Sequence, residues 1–262
     1  MRIKYYLGID IGASKVGAVI LSGHKKERVK YWEASTAKNL AGWKKDMERL
    51  IIRSRGNAKG SISGISVGVA GVVDVKKGKV LKSPNIPFLN GFNVAKFFKK
   101  FASRVRVDND VRCFLRAEVA WGAAKNHKDV VALAVGTGVG GAVMTNGKII
   151  YGHGGSAGEF GHMVVEKGKT LEELGNAKAC KSSSYWNQVL GLGVANVINA
   201  LNPEMVILGG GIVFSKYFHL GEVRRVARSK IISPKAKHTP IVKGKLGPAG
   251  QAIGAALLLV SK

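Results

Sequence analysis

Acidic side chains are scarce in this chain. Its 262 residues hold 16 Asp and Glu against 42 Lys and Arg, a formal net charge of +26. Cysteine is scarcer still. Cys113 and Cys180 are the only two, and no CxxC occurs, which excludes a disulfide framework and suits a reducing interior. Long apolar runs are missing. No stretch approaches the ~18 residues of a membrane span, and the N-terminus runs straight into a strand-like segment rather than a charged start followed by an apolar stretch. The chain has no low-complexity segment, no flexible interdomain linker and, despite 35 glycines, no G-X-Y period. A 46% hydrophobic and 22% charged composition is globular and excludes a disordered polyelectrolyte.

The positive charge is carried by residues 1–130 and 201–262, while 131–200 hold five basic and four acidic side chains. A basic balance points either to a polyanion partner, nucleic acid or phosphate, or to a lysine-rich solvated surface. No basic run coincides with a DNA-reading element. A lysine-rich surface is therefore expected, with neither a nucleic-acid nor a membrane partner. The scarcity of acids has its own use: each one beside a glycine loop is worth asking about.

Residues 4–11 and 16–22 read as strands joined by the tight turn Gly12-Ala13-Ser14-Lys15, and 29–35 as a third strand. Leu40, Trp43, Met47, Leu50 and Ile51 carry a helical period over 40–53. Residues 62–70 read as a buried strand, 84–91 as a loop, 94–101 as a helix and 105–107 as a short strand. Asn109 or Asp108 caps a helix running to about Trp121. Strands at 130–135 and 142–144 flank Gly136-Thr137-Gly138-Val139-Gly140-Gly141. A glycine-rich loop over 152–161 follows. Then come a long helix over 185–201 closed by Pro203, a strand at 205–208 and a small apolar helix at about 249–259. Strand, turn and strand thus recur at 4–22 and 130–144, which predicts an α/β fold with mixed sheets flanked by helices.

Five motifs carry chemistry. In Asp10–Lys15, small residues let backbone N–H groups approach an anion, and the Ser14 hydroxyl can donate to a phosphate. Asp10 itself would repel phosphate and suits a hydrated Mg²⁺; the plain alternative is an ordinary hairpin. Gly136–Gly141 lacks the Gly-Lys-Ser/Thr ending of a Walker loop, and a strand rather than a helix follows it, so it is no dinucleotide fingerprint. It fits a second phosphate hairpin, or a tight turn needing glycine. Gly209-Gly210-Gly211 at a strand end lets a flat adenine or ribose lie on backbone, or simply turns the chain. Asp108-Asn109-Asp110 offers a base for an alcohol proton at Asp110 and a substrate ligand at Asn109, or a helix cap. Glu159 and His162 in Gly158–His162 can bond vicinal hydroxyls; a metal-ligating His162 is the alternative, but lone His residues are more often structural and no Cys cluster follows to support zinc.

As an ordered set, Tyr6 to Leu259, these motifs resemble the ROK family of sugar kinases, within the actin-like ATPase superfamily. That resemblance implies a two-lobed actin-like ATPase (ribonuclease H-like) fold, with residues 1–108 plus about 249–262 as a small lobe and 109–248 as a large one. It implies an ATP site at Asp10, Gly12, Ser14, Lys15, Gly136, Thr137, Gly138, Gly140, Gly209, Gly210 and Gly211, with Mg²⁺ near Asp10. It implies sugar ligands at Asn109, Glu159, His162 and Glu172, with Asn90 and Gly91 nearby, and Asp110 as catalytic base. ATP would bind between the lobes. Asp110 would take the proton of a sugar hydroxyl, at C6, and that oxygen would attack the γ-phosphate in line, releasing ADP and a sugar 6-phosphate.

The chain departs from the family pattern at several points. Ala13 and Ser14 replace Gly and Thr. Arg112 stands where a second Asn is usual. No cysteine lies in 163–170, where the family's zinc cluster belongs, so no structural zinc is expected. A cytoplasmic enzyme, as a homodimer, is implied. The alternatives are a sugar- or nucleotide-binding protein of impaired catalysis, an actin-like ATPase acting on a non-sugar substrate, and a ROK-type transcriptional regulator. For the regulator, the strand beginning at about residue 4 is expected to leave no room for a DNA-reading helix.

Overall fold

Continuous apolar runs at the N-terminus make strands that bury on both faces. In the computed structural model, which describes residues 4–23, 28–58, 61–179 and 183–260, β1 (Tyr5–Ile11) and β2 (Lys15–Ser22) pair as an antiparallel hairpin, with Leu7, Ile9, Ile11 and Ile20 at 0% exposure. β3 (Arg28–Ser35) continues the antiparallel ribbon. α1 (Leu40–Asn57) then carries the chain to β4 (Ile62–Val69), parallel to β1. Asn39 starts α1 by accepting the Gly42 N–H at 2.8 Å, and Trp43, Met47, Ile51 and Ser54 form its buried stripe. Trp43 meets Phe97 and Phe98 with ring centroids 5.3 and 6.1 Å apart.

After β4 a small hairpin, β5 (Val72–Asp74) and β6 (Lys79–Lys82), and α2 (Val94–Phe98) lead to β7 (Val105–Asn109), parallel to β4. The sheet order is β3-β2-β1-β4-β7. α3 (Asp110–Trp121) follows without a linker. A C-terminal helix, Gly250–Ala256, packs on β1 so closely that a Cβ on Gly8 would fall 2.1 Å from the Ala252 carbonyl oxygen. Residues 1–117 and 249–262 form one compact unit, and 118–248 the second.

The second unit repeats the plan. β8 (Val130–Val135) and β9 (Val139–Thr145) form a hairpin extended by β10 (Lys148–Ile149). A small hairpin, β11 (Val164–Glu166) and β12 (Lys169–Thr170), leads into α4 (Leu171–Gly175) and α5 (Ser183–Leu201). β13 (Met205–Gly209) joins β8 in parallel, and after α6 (Leu220–Lys230), β14 (Ile241–Lys243) joins β13 in parallel. The order β10-β9-β8-β13-β14 has the same pattern of two antiparallel and two parallel pairings as the first sheet. The repetition seen in the sequence at two hairpins therefore extends across both sheets.

The strand read at 142–144 is longer, because Val139, Gly140 and Gly141 also pair with β8. The helices read at 94–101 and 249–259 are shorter, ending at Phe98 and Ala256, after which the chain continues in turns. The stretch 84–91 holds a single 3₁₀ turn, Pro87–Leu89, anchored by buried Leu89. No helix among the described residues is long and apolar enough to cross a membrane. Cys113 is buried and free, and Cys180 lies outside the described residues.

Candidate active site

In the first unit two acidic residues lie at the strand ends. Asp10 on β1 and Asp108 on β7 flank Gly68 on β4 in register, so both side chains share one sheet face, with no side chain between them. A Cβ on Gly68 would lie 3.4 Å from the Asp110 Cα, so glycine here lets α3 begin directly over that face. Asp10 Oδ1 is buried with no hydrogen-bond partner among the described residues. Burial, and secondarily the charge of Asp110, push its carboxyl well above the usual range. An orphaned buried carboxylate of this kind fits a site completed by a cation.

Asn109 caps α3: its Oδ1 accepts the N–H groups of Val111 and Arg112 at 2.9 and 3.0 Å. Its Nδ2 donates to Asp110 Oδ1 at 3.0 Å and to the Gly71 carbonyl at 3.1 Å. Capping and candidate catalysis therefore coexist in one turn. The β1–β2 turn is closed by the Gly12 N–H donating to the Lys15 carbonyl at 3.0 Å. It is braced by Thr36, whose hydroxyl donates to the Gly12 carbonyl at 2.8 Å and whose N–H donates to the Ser14 carbonyl at 3.0 Å. The Ser14 residue is exposed. Lys15 forms an ion pair with Glu33 on β3, so its ammonium is already engaged. Asn90 Oδ1 accepts the Ser83 N–H at 2.7 Å and fastens its own loop, while Gly91, at φ +76°, is exposed.

In the second unit the motifs gather on the β8–β9 hairpin. Its turn is closed by the Gly136 N–H donating to the Gly138 carbonyl at 2.9 Å, and Thr137 is exposed at its tip. Gly140 lies in β9, paired with Ala134. Glu172, in the first turn of α4, accepts the Val139 N–H at 2.7 Å. The Gly158–His162 segment lies flat on β9: a Cβ on Gly161 would fall 2.0 Å from the Val139 carbonyl oxygen. This close approach presents Glu159 and His162 to solvent, with His162 Nδ1 3.8 Å from Glu159 Oε2. Gly209 ends β13. Gly210, at φ +88°, packs on β8, where a Cβ would lie 2.1 Å from the Val135 carbonyl oxygen. Gly136 and Gly211 instead open onto free space, the room a phosphate or nucleoside needs against backbone.

Against known proteins, a family model described as ROK family matches residues 6–180 and 165–262. The chain belongs to the ROK family. The N-acetyl-D-glucosamine kinase of Photobacterium profundum is 28% identical over 98% of this chain and 100% of its own length. The xylose repressor of Bacillus subtilis is 22% identical over 99% of this chain and 78% of its own. Among solved structures, a ROK family glucokinase from Streptomyces griseus in complex with glucose and AMPPNP matches with a TM-score of 0.86 at 21% identity, covering 97% of this chain and 98% of that one. The fold is accordingly the actin-like ATPase fold of ROK proteins.

Two of the departures expected from the family pattern fall on described residues. In 163–170, β11 and β12 are joined by Lys167 and Gly168, both at positive φ (46° and 76°), a two-residue hairpin turn. Among the described residues no group of three or more His, Cys, Asp or Glu could hold a metal. Arg112 is buried against Asp108, at 3% side-chain exposure. Sequence reasoning missed Thr36, Arg116 and the partner of Glu172. Thr36 and Arg116 lie outside the glycine motifs, and Glu172 reaches Val139 of the second hairpin only because α4 starts beside it.

Proposed function

We propose that this ROK protein is an ATP-dependent sugar kinase that transfers the γ-phosphate to the C6 hydroxyl of a hexose or N-acetylhexosamine. The observation that carries the reading is the Asn109–Asp110 turn. A carboxylate at the start of a helix, oriented by a neighbouring amide and set near the half-buried Asp10, has the makings of a base for an alcohol proton. In this reading Asp110 accepts the hydroxyl proton as the sugar oxygen bonds to the γ-phosphorus and the bond to ADP breaks. Asn109, Glu159, His162 and Glu172 bind sugar hydroxyls. The β8–β9 hairpin and the Gly12–Ser14 turn hold phosphates on backbone N–H groups, and Gly209–Gly211 hold the nucleoside. Asp10 would hold Mg²⁺, which supplies charge neutralisation for the phosphates. The reading carries with it a cytoplasmic location, a homodimer and no structural zinc.

The test is coupled ADP release with Mg·ATP across glucose, N-acetylglucosamine, N-acetylmannosamine, fructose and allose. Turnover with one or more sugars supports the reading, and none with any overturns it. The repressor relative favours a second reading, a sugar-responsive regulator. Sugar binding without turnover, together with duplex DNA binding at physiological salt, would establish that instead.

A further inference from the structure

Asp108 is wholly buried, and a buried carboxylate is tolerated only when it is paired. Two guanidinium groups from successive turns of α3 meet it. Arg112 Nη1 lies 3.5 Å from Oδ1, and Arg116 Nη2 donates to Oδ2 at 3.2 Å. Arg112 and Arg116, four apart on α3, share the helix face that looks onto Asp108 at the end of β7. Asp108 Oδ1 also accepts the Asn109 N–H at 2.8 Å. From there the contacts run on: Asn109 Oδ1 holds the first N–H groups of α3, and Asn109 Nδ2 donates to Asp110 Oδ1. The contacts therefore lead from Arg116, by hydrogen bond, and Arg112, by ion pair, to Asp108, and from its neighbour Asn109 to the candidate base.

We infer that Arg112 and Arg116 are positioning residues, which clamp Asp108 so that Asn109 fixes the orientation of the Asp110 carboxylate. The inference rests on the sugar-kinase reading. Several features support it over a plain core ion pair. One carboxylate takes two guanidinium groups, one on each oxygen. The Arg116 bond to Oδ2 is charge-assisted and directional, and Arg112 sets its charge against Oδ1. Asp108 and Asp110 also flank Asn109 in one turn, and Asp110 bears electrostatically on Asp10 of β1, so nearby cations offset repulsion among these acids. Arg112 further occupies the volume under the turn that a shorter side chain would leave empty.

The experiment compares wild type with Arg112→Lys, Arg112→Met and Arg116→Met in the ADP-release assay, using the best sugar of the panel. Calorimetric ATP stoichiometry counts the competent molecules in each sample, so a partly unfolded preparation is not mistaken for a slow one. The expected result is that Arg112→Met lowers kcat per competent molecule by about tenfold or more, the scale of loss from a misplaced catalytic group. ATP affinity should stay unchanged, and Arg112→Lys should recover most of the rate. A folded Arg112→Met with kcat within about twofold of wild type, or a Lys variant no better than Met, overturns the inference. Should Arg112→Met fail to fold, Arg116→Met decides by the same criterion, since Arg116 is 27% exposed and more easily replaced. Absence of sugar-dependent turnover in wild type is a different result: it fails the kinase reading, and the clamp as a catalytic device falls with it.

Discussion

Glu172 accepts the Val139 N–H at 2.7 Å. The residue that family resemblance assigns to the sugar therefore also holds the turn of the glycine hairpin assigned to phosphate. One carboxylate couples the two ligands' sites within the second unit. Glu172→Ala should leave the Val139 N–H without its acceptor, at a cost of about 1–3 kcal/mol if the group stays dry. It should raise KM for ATP as well as for sugar, whereas a residue that touched sugar alone would move only the sugar KM. Glu172→Gln, which keeps an acceptor oxygen, should restore the ATP KM.

Asp110→Asn keeps the size of the side chain and removes the base. We expect kcat to fall by about 10²–10⁴-fold, the range of a general base, with the melting temperature and calorimetric sugar affinity close to wild type. Near wild-type turnover would remove Asp110 from the mechanism.

Asp10 combines a buried oxygen lacking a partner with a neighbouring acid. Asp10→Asn should therefore raise the melting temperature measured without Mg²⁺ while abolishing Mg²⁺-dependent turnover, the trade expected of a functional residue held in a costly place. A lower melting temperature would show that the carboxylate is structural.

Neighbouring glycines should behave in opposite ways. Gly210→Ala puts a Cβ 2.1 Å from the Val135 carbonyl oxygen at a residue with φ +88°, and should destabilise the second unit enough to lower soluble yield. At Gly211 nothing lies within 4 Å. Gly211→Ala should fold normally, and weakened ATP binding by calorimetry would mark the ligand's position.

Much of the fold could be read in advance because it is written in local pattern. Buried strands show in local pattern, β4 as an alternation of small and β-branched residues, and α1 shows its stripe at Trp43, Met47 and Ile51. The small hairpins β5–β6 and β11–β12 were not legible, since strands of two to four residues carry too little alternation. α6 was missed despite burying Val223, Val226 and Ala227, because basic residues crowd its other positions. For the site, the motifs located Asp10, Asp110 and the glycines, each of which has a local reason to stand in a turn. The partners that hold them, Thr36 for the first turn and Arg116 for Asp108, come from distant strands or a later helical turn. The Lys15–Glu33 pair was hidden for the same reason, since only the register of β2 with β3 brings the two together.

The helix Gly250–Ala256, pressed onto Gly8 of β1, also bears on how the protein is made. The second unit is contiguous, 118–248, and every residue it needs is synthesised before residues 250–256. The first unit begins earlier but needs that helix to cover β1. During synthesis the later unit can complete its core first, while the β1–β2 hairpin waits, with one face bare, for residues 250–256 to leave the ribosome.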